Sequence, residues 1–163
     1  MIEYDYVTKK RSEVDAYPEK GMGAIRVLLR FIMRVQVFVY RLSGGRLLTK
    51  FAGGYKICVV TTRGAKSGAI RRIALIHLPH GDNKLMVASQ GGMDKMPAWY
   101  FNVKANPEVV IQFGAEEKTY KARRVSDEEK AELWPHLCSL YPDFDDYQAR
   151  TDRNIPVFSC EPV

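Results

Sequence analysis

Between Lys20 and Gly81 the chain has no aspartate and no glutamate, although twelve lysines and arginines fall in that interval. The rest of the sequence carries thirteen basic and nineteen acidic residues, so the net charge of +6 joins a strongly basic first half to an acidic remainder. A chain that is basic only for solubility mixes its signs. This segregation points to an anion facing the first half: a phosphate, a nucleic acid or a lipid headgroup.

Other absences narrow the field. No uninterrupted apolar run is long enough to span a bilayer. The start, "MIEYDYVTKKRSEVDAYPEK", lacks the apolar middle of a secretory signal. The three cysteines, Cys58, Cys138 and Cys160, cannot all pair within one chain and show no CxxC spacing, which reads as reduced thiols in a cytosolic protein. There is no GxGxxG, no GxSxG elbow and no complete Walker A motif, because Ala65 separates Gly64 from Lys66 in the turn that comes nearest to one. His77 and His80 lie three apart beside a turn, but no cysteine or carboxylate pattern completes a zinc set, so no metal site is expected. An enzyme built from such a chain must take its chemistry from a cofactor.

What is present is an ordinary globular composition, 46% hydrophobic and 27% charged over 163 residues, enough for one well-formed core. Residues 1–20 read as a flexible or loosely docked polar arm. "GMGAIRVLLRFIMRVQVFVYRLSGG" follows, a helix between glycines in which Arg26, Arg30, Arg34 and Arg41 share one stripe. Val27, Leu28, Phe31, Ile32, Val35, Phe38 and Val39 make the other faces apolar, which suits packing on the domain, contact with an anionic membrane, or both.

Beyond Gly54 the texture changes. "YKICVVTTR", "IRRIALIHLP" and "KLMVAS" predict a meander of three antiparallel strands, turning at "AKSG" and "GDN". A glycine-rich loop, "QGGMDK", leads to a short helix at "PAWYFNVKAN" with Pro97 near its first turn, ended by Asn106-Pro107. Two strands follow, near "EVVIQF" and "KTYKARRV". Ser126 with Glu129 three residues on predicts a capping box and a helix start, and Pro135 is expected to kink or interrupt that helix. A short helix near residues 143–150 and a closing strand at "IPVFSC" complete an α+β fold that closes as a small barrel. We divide the chain into an arm and basic helix, residues 1–45, and a barrel domain, residues 46–163.

Three patches stand out. "TTRGAKSGAIRR" gathers Arg63, Lys66, Arg71 and Arg72 about one tight turn, a fork for phosphate, with backbone N–H groups adding to a concave nest. Alternation sends Arg71 and Arg72 to opposite faces, so one of them is expected to bend toward a ligand and the other to be solvated. "VASQGGMDKMPAWYFN" offers unhindered amides at Gly91 and Gly92 and the aromatic surface of Trp99. In "LYPDFDDYQARTDRNIP", Tyr141, Phe144 and Tyr147 recur at helical spacing, which serves either a core or a pocket lid.

Together, these three patches and "DEEKAELWPHL" resemble the actinobacterial deazaflavin-dependent nitroreductase family, also described as quinone reductases that use reduced coenzyme F420. The resemblance runs in order across about residues 61–162. It implies a split β-barrel that binds the deazaflavin in a groove, with Lys66, Ser67 and Arg71 holding the phosphate and the start of a polyglutamate tail; Ala65 and Arg72 are grouped with them as cofactor-binding. It further implies that Val87, Ala88, Ser89, Gln90 and Gly91 lie along the deazaflavin and that Pro97, Ala98, Trp99 and Asn102 close another side. Tyr141 and Tyr147 would line the acceptor pocket, with Phe144 beside the cofactor. Ser89, Tyr141 and Tyr147 are the expected catalytic residues. Phe144 stands where nitroreductase-type members carry a tyrosine, which removes a hydroxyl and counts against nitroimidazole reduction. Gln90 replaces a common lysine, and Ala65 a frequent cation, which weakens the hold on the tail.

The expected activity is hydride transfer from reduced F420 to a quinone or similar activated acceptor, such as a nitroaromatic or an enone. A menaquinone-like acceptor, peripheral contact with an anionic membrane at the cytoplasmic face, and no nucleic-acid partner accompany it. Two alternatives stay open on sequence alone: an FMN-binding enzyme of the same barrel shape, and a non-enzymatic module that binds membranes through its basic half.

Overall fold

The computed structural model describes residues 4–15 and 23–163; the expected helix start at Gly21 lies outside them. Seven strands form one antiparallel sheet: β1 (Ile57–Arg63), β2 (Ile70–Ile76), β3 (Leu78–His80), β4 (Asn83–Val87), β5 (Glu108–Phe113), β6 (Glu116–Arg124) and β7 (Val157–Pro162). Their order is β2-β1-β5-β6-β7-β4-β3. β2 and β3 are therefore opposite edges, yet only His77 separates them in the chain. The sheet must curl until its two edges meet in one bent strand, and the result is a split β-barrel. The expected meander is present, with its middle strand divided at His77, where it exchanges β1 for β4 as partner.

Burial follows from that curl. Cys58, Val60, Met86, Ile111 and Phe158 point into the barrel, where Trp99, Tyr100 and Val103 of α2 (Ala98–Ala105) plug one end. Ile57, Val59 and Ala74 face outward against Val37 and Tyr40 of α1 (Gly23–Leu42), so β1 is buried on both sides, as its unbroken apolar run requires. A third cluster places Leu133, Trp134 and Leu137 of α3 (Asp127–Leu140) with Phe144 of α4 (Asp143–Arg150).

The capping signal holds in one direction. Ser126 Oγ accepts from the Glu129 amide at 3.1 Å, while the Glu129 carboxylate makes a two-pronged bond to Arg123. Of the expected kink or interruption at Pro135, the interruption does not occur: α3 continues across it as a single helix, and nearby Trp134 and Leu137, both almost fully buried, hold that turn in the core. All three cysteines are free thiols, and burial pushes Cys58 and Cys160 up to about 12, which leaves them unreactive.

Tyr40 fixes the second half of α1 to the barrel. Its buried hydroxyl accepts from the Gly114 amide at 2.7 Å and donates to the Ile57 carbonyl at 3.4 Å. At the end of that helix Gly45 has φ +72°, and a Cβ there would fall 2.4 Å or less from Gly114 backbone atoms, so only glycine permits the approach. The other side of α1 faces solvent: Ile25, Val27, Leu28, Phe31, Ile32, Val35, Phe38 and Leu42 are all exposed.

Residues 4–15 are docked rather than loose. The Thr8 amide, the Thr8 hydroxyl and the Lys9 amide all donate to Asp145 Oδ2, and Trp134 Nε1 donates to its other oxygen. Tyr4 and Tyr6 join Trp134 around the Lys130 ammonium, which donates to Gln148 and Asn154. Burial pushes the Lys130 amine down to about 7, against the pull of Asp127.

Candidate functional site

A groove of about 1180 Å³ runs between α1, the β1–β2 hairpin and the start of α2. The hairpin supplies Ala65, Lys66, Ser67, Arg71 and Arg72, and α2 supplies Ala98, Trp99 and Asn102. Eight of the expected cofactor-binding residues thus converge on one cavity. Among the described residues no acidic side chain lines it. Lys66, Arg71 and Arg72 form no ion pair among the described residues, whereas Lys9, Arg11, Arg41, Lys118 and Arg123 elsewhere all do. Unneutralised cations around an acid-free hollow are the electrostatics of a polyanion site.

Alternation along β2 led us to expect only one of the two arginines at the ligand; both line the groove. The reason is topological. β2 is an edge strand, and the cavity wraps around that edge, so both of its faces reach it.

The turn is rigidly held. The Gly64 amide donates to the Ala69 carbonyl, the Gly68 amide to Gly64, and the Ala69 amide to Ser67 Oγ. Asn102 pins the turn to α2, accepting from the Ala65 amide at 3.0 Å and donating to Thr62 Oγ1 at 3.3 Å. Its side chain thus acts through the hairpin. The Lys66 and Ser67 amides have no internal acceptor among the described residues, so the nest the turn offers is open at those two amides.

Val87, Ala88, Ser89, Gln90 and Gly91 are not among the walls of this groove. They make a second neighbourhood with α4, joined to the first by the continuous segment 88–102. Val87 and Ala88 are buried, Ser89 is half-buried and Gln90 exposed, and Pro97 is buried ahead of α2. Gly92 packs directly on α4: it has φ +78°, and a Cβ there would sit 2.7 Å from the Tyr147 carbonyl. Tyr141 and Tyr147 are hydrogen-bonded through their hydroxyls at 3.0 Å. Burial, the bond to Tyr147 and nearby Asp143 raise the Tyr141 phenol well above its ordinary range, so it stays protonated near neutral pH. Phe144 lies beneath the pair, edge-on to both rings and 3% exposed; in this structure it supports the tyrosines from the core.

Two arginines that sequence reasoning missed hold this neighbourhood together. Arg153 donates to the carbonyls of Ala88, Ser89 and Met93 at 2.9–3.1 Å, and its Nη1 lies 3.2 Å from Met96 Sδ. Arg150 donates to the Gly91 carbonyl at 2.8 Å and to the Asp15 carbonyl at 2.7 Å, with its guanidinium over the Tyr147 ring. Both lie in "QARTDRN", within the C-terminal patch, yet nothing local says that their acceptors stand 59–65 residues earlier on the glycine loop and, for Arg150, 135 residues earlier at Asp15.

Comparison with known proteins places the chain. The family model described as F420H(2)-dependent quinone reductase matches residues 32–162. An F420H(2)-dependent quinone reductase of Mycobacterium tuberculosis is 35% identical over 129 residues, covering 77% of this chain and 87% of that protein. Among solved structures, an F420-H2 dependent reductase aligns with 44% identity and a TM-score of 0.61, over 64% of this chain and 93% of the other. A second, described as a domain-swapped dimer, aligns with 37% identity and a TM-score of 0.63, over 78% and 97%.

Proposed function

The chain belongs to the F420H(2)-dependent quinone reductase family, and from that membership we propose how its residues divide the work of reducing a quinone with reduced F420. The observation that carries the reading is the acid-free groove with its unpaired hairpin cations. It fits an anionic phosphate and tail, and Trp99 offers an aromatic wall. The FMN and non-enzymatic alternatives give way to it.

In this reading Lys66 and Arg71 neutralise the phosphate and first carboxylates, and the Ser67 hydroxyl donates to them. When bound, reduced F420 supplies a hydride from C5 of its ring. The protein positions, excludes water and stabilises charge. Ser89 stands at the end of β4 with its carbonyl held by Arg153 and its hydroxyl free to donate toward an acceptor oxygen as negative charge develops there. The paired hydroxyls of Tyr141 and Tyr147 shape the acceptor pocket and donate hydrogen bonds toward the acceptor; with Tyr141 held above its ordinary range, the pair relays the proton that follows the hydride rather than releasing one of its own. Ser89→Ala is expected to lower kcat by about 10- to 100-fold while leaving F420 affinity within about twofold, read by steady-state kinetics and fluorescence titration. The opposite split would move Ser89 from charge stabilisation to binding.

The acceptor we propose is a menaquinone-like lipid quinone, met at an anionic membrane surface. Among the described residues no helix is long and apolar enough to cross a membrane. The exposed apolar arc of α1 instead suits lying in the interface, with arginines along its border. Replacing Phe31 and Phe38 by serine should reduce sedimentation with anionic vesicles by at least about tenfold; undiminished sedimentation removes the membrane role. The proposed activity itself is tested by mixing the protein with reduced F420 and a menaquinone analogue. Acceptor-dependent return of the oxidised deazaflavin absorbance is expected, and its absence with every quinone tried contradicts the proposal.

A further inference from the structure

The groove has a second wall, and that wall is α1. At about 100° per residue, three sectors follow one another around the helix. Met33, Gln36, Val37 and Tyr40 face the barrel, Arg30 and Arg34 come next, and the exposed apolar arc fills the rest. Arg30 and Arg34 line the groove with Leu29, Met33 and Val37, the same groove that Lys66, Arg71 and Arg72 line. Arg34 and Arg72 also share a smaller adjoining hollow of about 480 Å³ with Arg41.

Their state of pairing separates these cations. Arg41, two turns beyond Arg34, is neutralised by Glu117 at 2.8 Å. Arg30 and Arg34 have no ion pair or hydrogen-bonded side-chain partner among the described residues. Five unpaired cations about one cavity exceed what a phosphate and the first carboxylates need, and a ligand with repeated charges is what satisfies the remainder. Arg30 and Arg34 stand one turn apart, about 6 Å along the axis, and so meet successive anionic groups rather than one.

We infer that α1 completes the tail site, with Arg30 and Arg34 taking the distal carboxylates of the oligoglutamate so that affinity rises with tail length. The inference rests on the F420 reading above. The family match begins at residue 32, so Arg30 lies outside it and Arg34 just inside its start. The inference also gives α1 two separable surfaces: the arginine edge turned to the cofactor and the apolar arc turned away from it.

The test is a fluorescence titration of the full chain with F420 carrying short and long glutamate tails. It compares the wild type, Arg30→Gln combined with Arg34→Gln, and a control with the same change of charge, Arg46→Gln combined with Lys50→Gln, at exposed positions off the groove. The wild type should bind the long-tailed form more tightly. The α1 variant should lose roughly 5- to 30-fold for the long tail and less than about twofold for the short one, with the control unchanged. Equal losses for both tails, no loss, or an equal loss in the control overturns the role of α1 and leaves the cofactor assignment standing. Failure of the wild type to bind either form overturns both.

Discussion

Replacing Lys66 and Arg71 together by alanine is expected to raise the F420 dissociation constant by about 10²- to 10³-fold while leaving the melting temperature unchanged. The magnitude comes from two charge-assisted contacts of about 1.5–3 kcal/mol each, discounted for the exposure of both side chains, at 1.4 kcal/mol per factor of ten. The unchanged stability follows from their surroundings. Neither side chain is buried, and neither is paired among the described residues, so their removal opens no cavity and strands no described partner. Relieving the repulsion among groove cations would even favour the fold slightly. The loss should shrink as salt rises, because screening has then already weakened the wild type. Affinity within a few-fold of wild type in equilibrium titration would show that the tail does not lie on this hairpin.

Arg153→Ala is expected to do damage of another kind, on fold and turnover together. The guanidinium satisfies three carbonyls of the loop that carries Ser89, and its planar fork spans them at once. Removing it leaves the Ala88 and Met93 carbonyls without their donor, while the Ser89 carbonyl keeps only the Gly92 amide, at a cost of about 2–4 kcal/mol, which for a domain of this size lowers Tm by roughly 10 °C. Released from its tether, Ser89 would lose the place proposed for it, and kcat should fall at least as far as in Ser89→Ala. Arg153→Lys should rescue little, since one ammonium cannot reach three acceptors. Calorimetry and kinetics check the pair of effects, and a variant with wild-type Tm and kcat would contradict the positioning role.

Features set by neighbouring residues were legible in the sequence. The hairpin turn at "AKSG", the cap at Ser126, the helix after Pro97 and the turn at "GDN", whose Asn83 already belongs to the next strand, each follow from a few adjacent side chains. The charge segregation of residues 20–81 was legible too, and it led to the groove. What could not be read depends on partners far along the chain. Nothing around Asp145 says that its carboxylate collects donors from Thr8 and Lys9. The roles of Arg150 and Arg153 exist only once α4 lies on the glycine loop. Alternation misjudged Arg71 and Arg72 because it takes no account of which strand forms an edge. Aromatic spacing grouped Tyr141, Phe144 and Tyr147, but only packing shows that the phenylalanine sits underneath and the hydroxyls meet above it.

A crystal structure of the protein with F420 tests the central claim most directly. The account predicts the phosphate and first carboxylates against Lys66, Ser67 and Arg71, with the ring edge turned toward Ser89. A tail that lies elsewhere, with Lys66 and Arg71 extended into bulk water, would contradict it.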